Sequence, residues 1–269
     1  MQKVTPRTWI VLVVILMAIA VAILSFNVAA SGTITVSGDT AASENQPGWM
    51  FNRSLSNPAP YTFSFEVPIV SLGSLKVGPL TDSNQFVAEF FTGQLPASEF
   101  KTFKYSYILG SGRSSTDNQF VTVSVYTNVD NTTNGFDCRF DYTAKTGSTA
   151  TFANESIDAS MPPTVPTVKN GTRLTGDCPD LIERMPQGSF VRAIKLTVGS
   201  NDSTADSGLT AYFDNVEVTY GTDPAGITVY NFEPAPRTMD DCAGKKWQQY
   251  KFRNQGQCQK YVDKGIDTR

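Results

Sequence analysis

The strongest constraint in this sequence is a period of two. In Tyr61-Thr62-Phe63-Ser64-Phe65-Glu66-Val67, apolar and polar residues alternate without a break. That is the pattern of a strand with one face in a core and the other in water. Phe103, Tyr105, Tyr107 and Leu109 alternate with Lys104 and Ser106, and Val121, Val123 and Val125 with Thr122, Ser124 and Tyr126. Phe136, Cys138, Phe140 and Tyr142 alternate with Asp137, Arg139 and Asp141, and Ile194, Leu196 and Val198 with Lys195 and Thr197. Shorter candidates lie at 33–37, 48–52, 73–77, 85–91 and 227–232. No stretch of ten or more residues carries a convincing 3.6-residue period. About ten strands between Ser-, Gly-, Asn-, Asp- and Pro-rich turns predict an all-β fold, an antiparallel sandwich or barrel. Aromatic residues make up 11% of the chain, enough to fill its core.

One strand breaks the pattern in an informative way. Leu209, Ala211 and Phe213 share one parity, and Val216, Val218 and Tyr220 share the other. A one-residue slip would throw the second half onto the wrong face. A β-bulge at Asp214-Asn215 keeps both halves facing the core and re-aims the Asp214 carboxylate. The bulge is either a place for an ion or simply a kink.

Residues 1–30 are expected to be an address. Lys3 and Arg7 precede an apolar run from Trp9 to Leu24, and Val28-Ala29-Ala30 offers a cleavage site before Ser31, as in a secretory signal peptide. The alternative is an uncleaved anchor, because Trp9–Ala30 is long enough to span a bilayer. Contact with a membrane is expected only through that segment, and both readings place the remainder outside the cytoplasm.

The chain has no histidine and four cysteines. Without histidine there is no Ser-His-Asp triad, Cys-His dyad or His-ligated zinc. In an exported chain the cysteines are expected to pair. Of three pairings, Cys138–Cys178 with Cys242–Cys258 keeps each bridge within one segment.

Charge divides the chain. Residues 31–236 hold 12 Lys and Arg against 21 Asp and Glu, a net −9, whereas 237–269 hold 8 against 4, a net +4. Glu233-Pro234-Ala235-Pro236 reads as an extended linker. The expected plan is a β-sandwich over 31–232, a linker at 233–238 and a small Cys-stapled tail over 239–269. An acidic main domain argues against nucleic acid as partner.

Ala211-Tyr212-Phe213-Asp214-Asn215-Val216-Glu217-Val218 resembles the last strand of jelly-roll carbohydrate-binding modules and related secreted β-sandwich domains. The resemblance extends over residues 31–232 in length and strand pattern, and Gly48-Trp49-Met50-Phe51-Asn52 has the look of their N-terminal part. The Asn-Gly-x-Phe-Glu opening of those families is missing. The resemblance implies a jelly-roll-like sandwich and a structural Ca2+ ion held in part by Asp214, with Asp39 and Glu44 as candidate ligands by position. The tail is similar to a short Cys-Trp-Phe-x-Asn-Gln-Gly-x-Cys segment that ends many exported bacterial proteins. It carries Asp241-Cys242-Ala243-Gly244-Lys245-Lys246-Trp247, then Phe252-Arg253-Asn254-Gln255-Gly256-Gln257-Cys258 and Tyr261-Val262. Lys245-Lys246 stands where members often have Gly-Gly. The resemblance implies a bacterial source; the tail itself reads as a surface-attachment or sorting module, with a small disulfide-pinned appendage as the alternative.

Catalysis would have to rest on carboxylates. Asp137 and Asp141, four residues apart on one strand, would be about 13 Å apart, wider than the pairs of retaining or inverting glycosidases. Binding is favoured instead. If the polar sides of strands 102–108, 120–128 and 137–141 lie together, they present Lys104, Tyr126, Asp137, Arg139 and Asp141 among short hydroxyls. Those groups suit hydrogen bonding and stacking to sugars, although Arg139 between two aspartates also fits a surface salt-bridge ladder. Phe120 and Tyr126 point away from the valine core. Residues 143–189 show little pattern and are the place for a variable loop. The expected function is non-catalytic binding of carbohydrate or another surface polymer. The alternatives are a structural or adhesive surface protein without a glycan ligand and, further off, a carboxylate-based glycan-active enzyme.

Overall fold

The computed structural model describes residues 32–40, 46–53, 55–69, 72–81, 84–110, 121–130, 135–143, 153–170, 172–199, 208–221 and 226–264. The expected address segment, residues 1–30, and Glu44, Phe120 and much of the loop after Thr143 lie outside the described residues.

Two β-sheets face each other. The first runs in the order β10 (Val168–Lys169), β8 (Cys138–Thr143), β7 (Val121–Asn128), β11 (Phe190–Val198), β5 (Phe86–Pro96) and β2 (Gly48–Phe51). The second is organised around β12 (Ala211–Tyr220). Along one edge β12 pairs with β6 (Phe100–Leu109), and β9 (Ala153–Asp158) pairs with β6 in turn. Along its other edge the partner changes: Ala211–Phe213 pair with β4 (Ser74–Val77), and Val216–Tyr220 with β13 (Gly226–Phe232). Outside those lie β3 (Tyr61–Ser64) and β1 (Gly32–Val36). The pairings between named strands are antiparallel except β1 with β13, which is parallel, as is the isolated bridge of Pro58 with Gln85.

The change of partner on β12 falls at the predicted bulge. The register to β6 runs Asp214↔Ser106 and resumes at Glu217↔Lys104, three steps against two. Asn215 takes a φ of 51°, in the left-handed region that asparagine tolerates. Phe213 and Val216 are both fully buried, so the extra residue keeps the two halves of the strand in one core.

That core is built from the apolar halves of the alternating strands. Val121, Val123, Val125, Ile194, Leu196 and Val198 of one sheet are fully buried with Phe103, Phe213 and Phe232 of the other. Trp49 anchors one end, its ring 5.2 Å from Phe90, 5.7 Å from Tyr230 and 5.0 Å from Phe232. The contacts to Tyr230 and Phe232 are edge-on and add to the area that the rings bury.

Some elements differ from the sequence expectation. Strand β9, Ala-Asn-Glu-Ser-Ile-Asp, lies at an edge and buries Ile157 fully among mostly polar neighbours, so it carries no alternation. Strand β8 begins at Cys138, two residues late, and Phe136 turns onto the other face against Tyr126. Strand β12 is followed by β13, so the Asp-Asn-Val segment lies on the penultimate strand of the sandwich. The first part of the expected linker, 233–236, packs against the sandwich. Glu233, Pro234 and Pro236 are buried. The Glu233 amide donates to the Val36 carbonyl at 3.0 Å, continuing the β13–β1 pairing. Pro234 lies so close to Gly73 that a Cβ there would fall 2.5 Å from its Cδ. An extended Pro-rich sequence looks the same whether it spans solvent or lies along a sheet edge.

Both disulfides form as expected, Cys138–Cys178 and Cys242–Cys258. The first ties β8 to the segment before β11. The second pins a small apolar cluster of Cys242, Tyr250, Phe252 and Cys258, packed by Trp247, Tyr261 and Val262. The tail adds one α-helix, α1 (Gln255–Lys264). Asn254 Oδ1 accepts the Gln257 amide at 2.9 Å, and Gln257 Oε1 accepts the Arg253 amide at 3.1 Å, which satisfies free N–H groups at its start. The tail touches the sandwich where Tyr250 meets Phe65, ring centres 5.6 Å apart.

Candidate functional site

With the valines of β7 turned inward, Thr122, Ser124 and Tyr126 must face out. The register then builds rows across the outer face of the six-stranded sheet. One row is Asp141, Ser124, Lys195, Glu89 and Met50, from β8 to β2. Beside it run Arg139, Tyr126, Ala193 and Phe91 on one flank and Thr143, Thr122 and Thr197 on the other.

The polar groups of the face are bound to one another. Asp141 receives Ser124 Oγ at 2.6 Å on Oδ1 and Arg139 Nε at 2.9 Å on Oδ2. Lys195 Nζ lies 3.4 Å from Glu89 Oε1 and 4.9 Å from the centre of the Tyr126 ring. Phe136 meets that ring edge-on at 4.9 Å. Burial, foremost, raises the Tyr126 phenol above its ordinary pKa, against the lowering effect of Arg139, so it acts as a neutral hydroxyl. At the β2 end, the Arg53 guanidinium sits 5.6 Å over the Phe91 ring.

Three of the expected residues, Tyr126, Arg139 and Asp141, meet here. Two do not. Lys104 lies on β6, in the opposite sheet, where its ammonium pairs with Glu217 at 2.7 Å. Alternation assigns a residue to an inner or outer face, but not to a sheet. Asp137 precedes β8 and is fully buried. Its oxygens accept Arg173 Nε at 2.8 Å and the Val129 amide at 2.9 Å, so it braces the loop. Glu89 and Arg53 were not anticipated. In Phe86-Val87-Ala88-Glu89-Phe90-Phe91 both faces are largely apolar and hide the period, whereas Lys195 was legible as outward by its place between Ile194 and Leu196.

The candidate calcium ligands are engaged with backbone. Asp214 is fully buried, and its Oδ1 accepts the Phe232 amide at 2.9 Å, joining the bulge to β13. Asp39 Oδ1 accepts the Phe51 amide at 2.8 Å. Among the described residues no three His, Cys, Asp or Glu side chains gather as a metal site, so these alone do not complete a calcium cage.

No protein-family model matches the chain, and no curated protein is similar to it in sequence. Solved structures similar to it include a family 11 carbohydrate-binding module of a cellulosomal cellulase of Clostridium thermocellum. That match has a TM-score of 0.42 and 10% identity, covering 68% of this chain and 95% of that one. Another is the mannan-recognising carbohydrate-binding module TmCBM27, at a TM-score of 0.30 and 12% identity over 65% and 89% of the two chains. A third is the enzymatically active domain of bacteriophage CBA120 tailspike protein 4, at 0.34 and 10%, over 72% of this chain and 21% of that one.

Proposed function

We propose that the protein is an exported, non-catalytic module that binds carbohydrate or another surface polymer through the outer face of its six-stranded sheet. The observation that carries this reading is the cross-strand array of Asp141, Ser124, Lys195 and Glu89, flanked by Arg139, Tyr126 and a row of threonines. Hydrogen-bonding groups fixed on regular strands and locked by each other are pre-organised for a polyhydroxylated chain. Two formed disulfides support an oxidising compartment. Catalysis is disfavoured because Asp141 and Glu89 stand three strand spacings apart, about 14 Å. Paired carboxylates of glycosidases stand about 5–9.5 Å apart.

A glycan array probed with the purified protein tests the reading. Binding to a subset of glycans, abolished by Thr122→Glu on the face, is expected. A glutamate at this half-buried surface position should leave the fold within about 0.5 kcal/mol of wild type. An array at background removes the carbohydrate claim and leaves the structural or adhesive role.

A further inference from the structure

We infer that the ligand of this face is an anionic polysaccharide, one bearing carboxylates or sulfates. The inference rests on the carbohydrate reading above and adds the charge of the ligand. The main domain is acidic overall, with a net −9 over residues 31–236. The outer face of the six-stranded sheet reverses that sign at its surface. In each ion pair there the acid lies beneath the base: side-chain exposure is 10% for Asp141 against 34% for Arg139, and 9% for Glu89 against 31% for Lys195. On the opposite sheet the order is mixed: the Lys76–Glu66 pair runs the other way, at 25% for the lysine and 57% for the glutamate, and Lys104–Glu217 runs the same way, at 47% and 22%. Arg53 is exposed and has no carboxylate partner among the described residues.

The chemistry of the exposed atoms narrows the ligand further. Arg139 meets Asp141 through Nε, and a third of its side chain is exposed. Lys195 and Arg53 sit over the Tyr126 and Phe91 rings, contacts that hold their heads in place. The ring faces a neutral sugar would stack on are therefore occupied by cations. A ligand meets N–H donors, while the carboxylate acceptors lie below them. A donor face of this kind is matched by an acceptor-rich anion, and guanidinium pairs bidentately with such groups. Arg139 on β8 and Lys195 on β11 are two strand spacings apart, about 10 Å, so a chain lying across the strands meets cations in succession.

The test is calorimetric titration of the full chain with polygalacturonate, its fully methyl-esterified form, dextran sulfate, dextran and duplex DNA. Polygalacturonate or dextran sulfate should bind about tenfold or more tighter than its uncharged counterpart. That preference should fade in 1 M salt, where the screening length is about 3 Å. Whichever anion binds identifies the group recognised. Arg53→Gln, which breaks no ion pair, should weaken acidic binding about fivefold at an unchanged melting temperature, whereas Arg139 variants risk the fold by stranding Asp141. Equal affinity for the acid and its ester overturns the inference and leaves the carbohydrate reading standing. Duplex DNA as tight as polygalacturonate overturns it in favour of general polyanion adhesion, and an unaffected Arg53→Gln overturns the assigned face. Binding of neutral glycans alone overturns the inference, and silence across these and the array overturns both readings.

Discussion

Asp214→Ala is the most telling single change available in this fold. The carboxylate is fully buried, and the Phe232 amide that it accepts at 2.9 Å is buried with it. Truncation leaves that N–H without its acceptor, a cost of about 1–3 kcal/mol, with the upper half expected because donor and acceptor are both buried. The damage falls where β12 changes partner from β4 to β13, so no neighbouring ladder can take over. A loss of about 3 kcal/mol is expected. With a urea m-value of about 2 kcal/mol/M, that lowers the unfolding midpoint by about 1.5 M. Asp214→Asn keeps an oxygen for the amide and should lose less than half as much. The assay is urea unfolding followed by tryptophan fluorescence, with m compared among the three proteins. An alanine variant within about 0.5 kcal/mol of wild type would refute the role given to this hydrogen bond. An asparagine variant as damaged as alanine would refute it differently, by showing that the charge is what the bulge requires.

Replacing Cys138 and Cys178 by serine should cost about 4 kcal/mol for a bridge of sequence separation 40, read from denaturant midpoints; an unchanged midpoint counts against the chain-entropy argument. Removing Cys242–Cys258, of separation 16, should cost the tail about 3 kcal/mol. Trp247 fluorescence should then change while the sandwich keeps its circular dichroism. Amide donors from Arg237 and Thr238 hold the Asp241 carboxyl below its ordinary value of 3.8. Its contribution to the tail is therefore complete above about pH 4 and is lost as pH falls further. Asp241→Asn should flatten the acid limb of the Trp247 signal, and an unaltered limb would count against it. A structural Ca2+ ion held in part by Asp214 predicts that a chelator lowers the melting temperature; an unmoved midpoint removes the ion.

How much of this was legible in the sequence depends on the range of the interaction that decides each feature. In-or-out placement is local, so the valines of β7, the outward Tyr126 and the parity switch at Asp214-Asn215 were all readable from spacing. Sheet membership is not local. Lys104 looked like a neighbour of Tyr126, but β6 pairs with β12, and its lysine finds Glu217 113 residues later. Asp137 followed the strand parity on paper, yet the strand starts after it and Arg173 holds it inside. The cation-over-acid arrangement of the outer face was invisible for a third reason: Glu89 sits in a run where both faces of the strand are apolar.

The parallel pairing of β1 with β13 has a mechanical consequence. Gly32 lies beside Thr228 and Val36 beside Phe232. The chain therefore arrives at one end of this pair and leaves toward the tail from the other. Tension between the segment before Gly32 and the tail pulls the two strands in opposite directions along their length. It loads the five residue pairs of the ladder together, in shear; a hairpin with both ends on one side would peel open one bond at a time. Stretching a single molecule between those points should give one tall rupture peak, and a low sawtooth would show that the load bypasses this clamp.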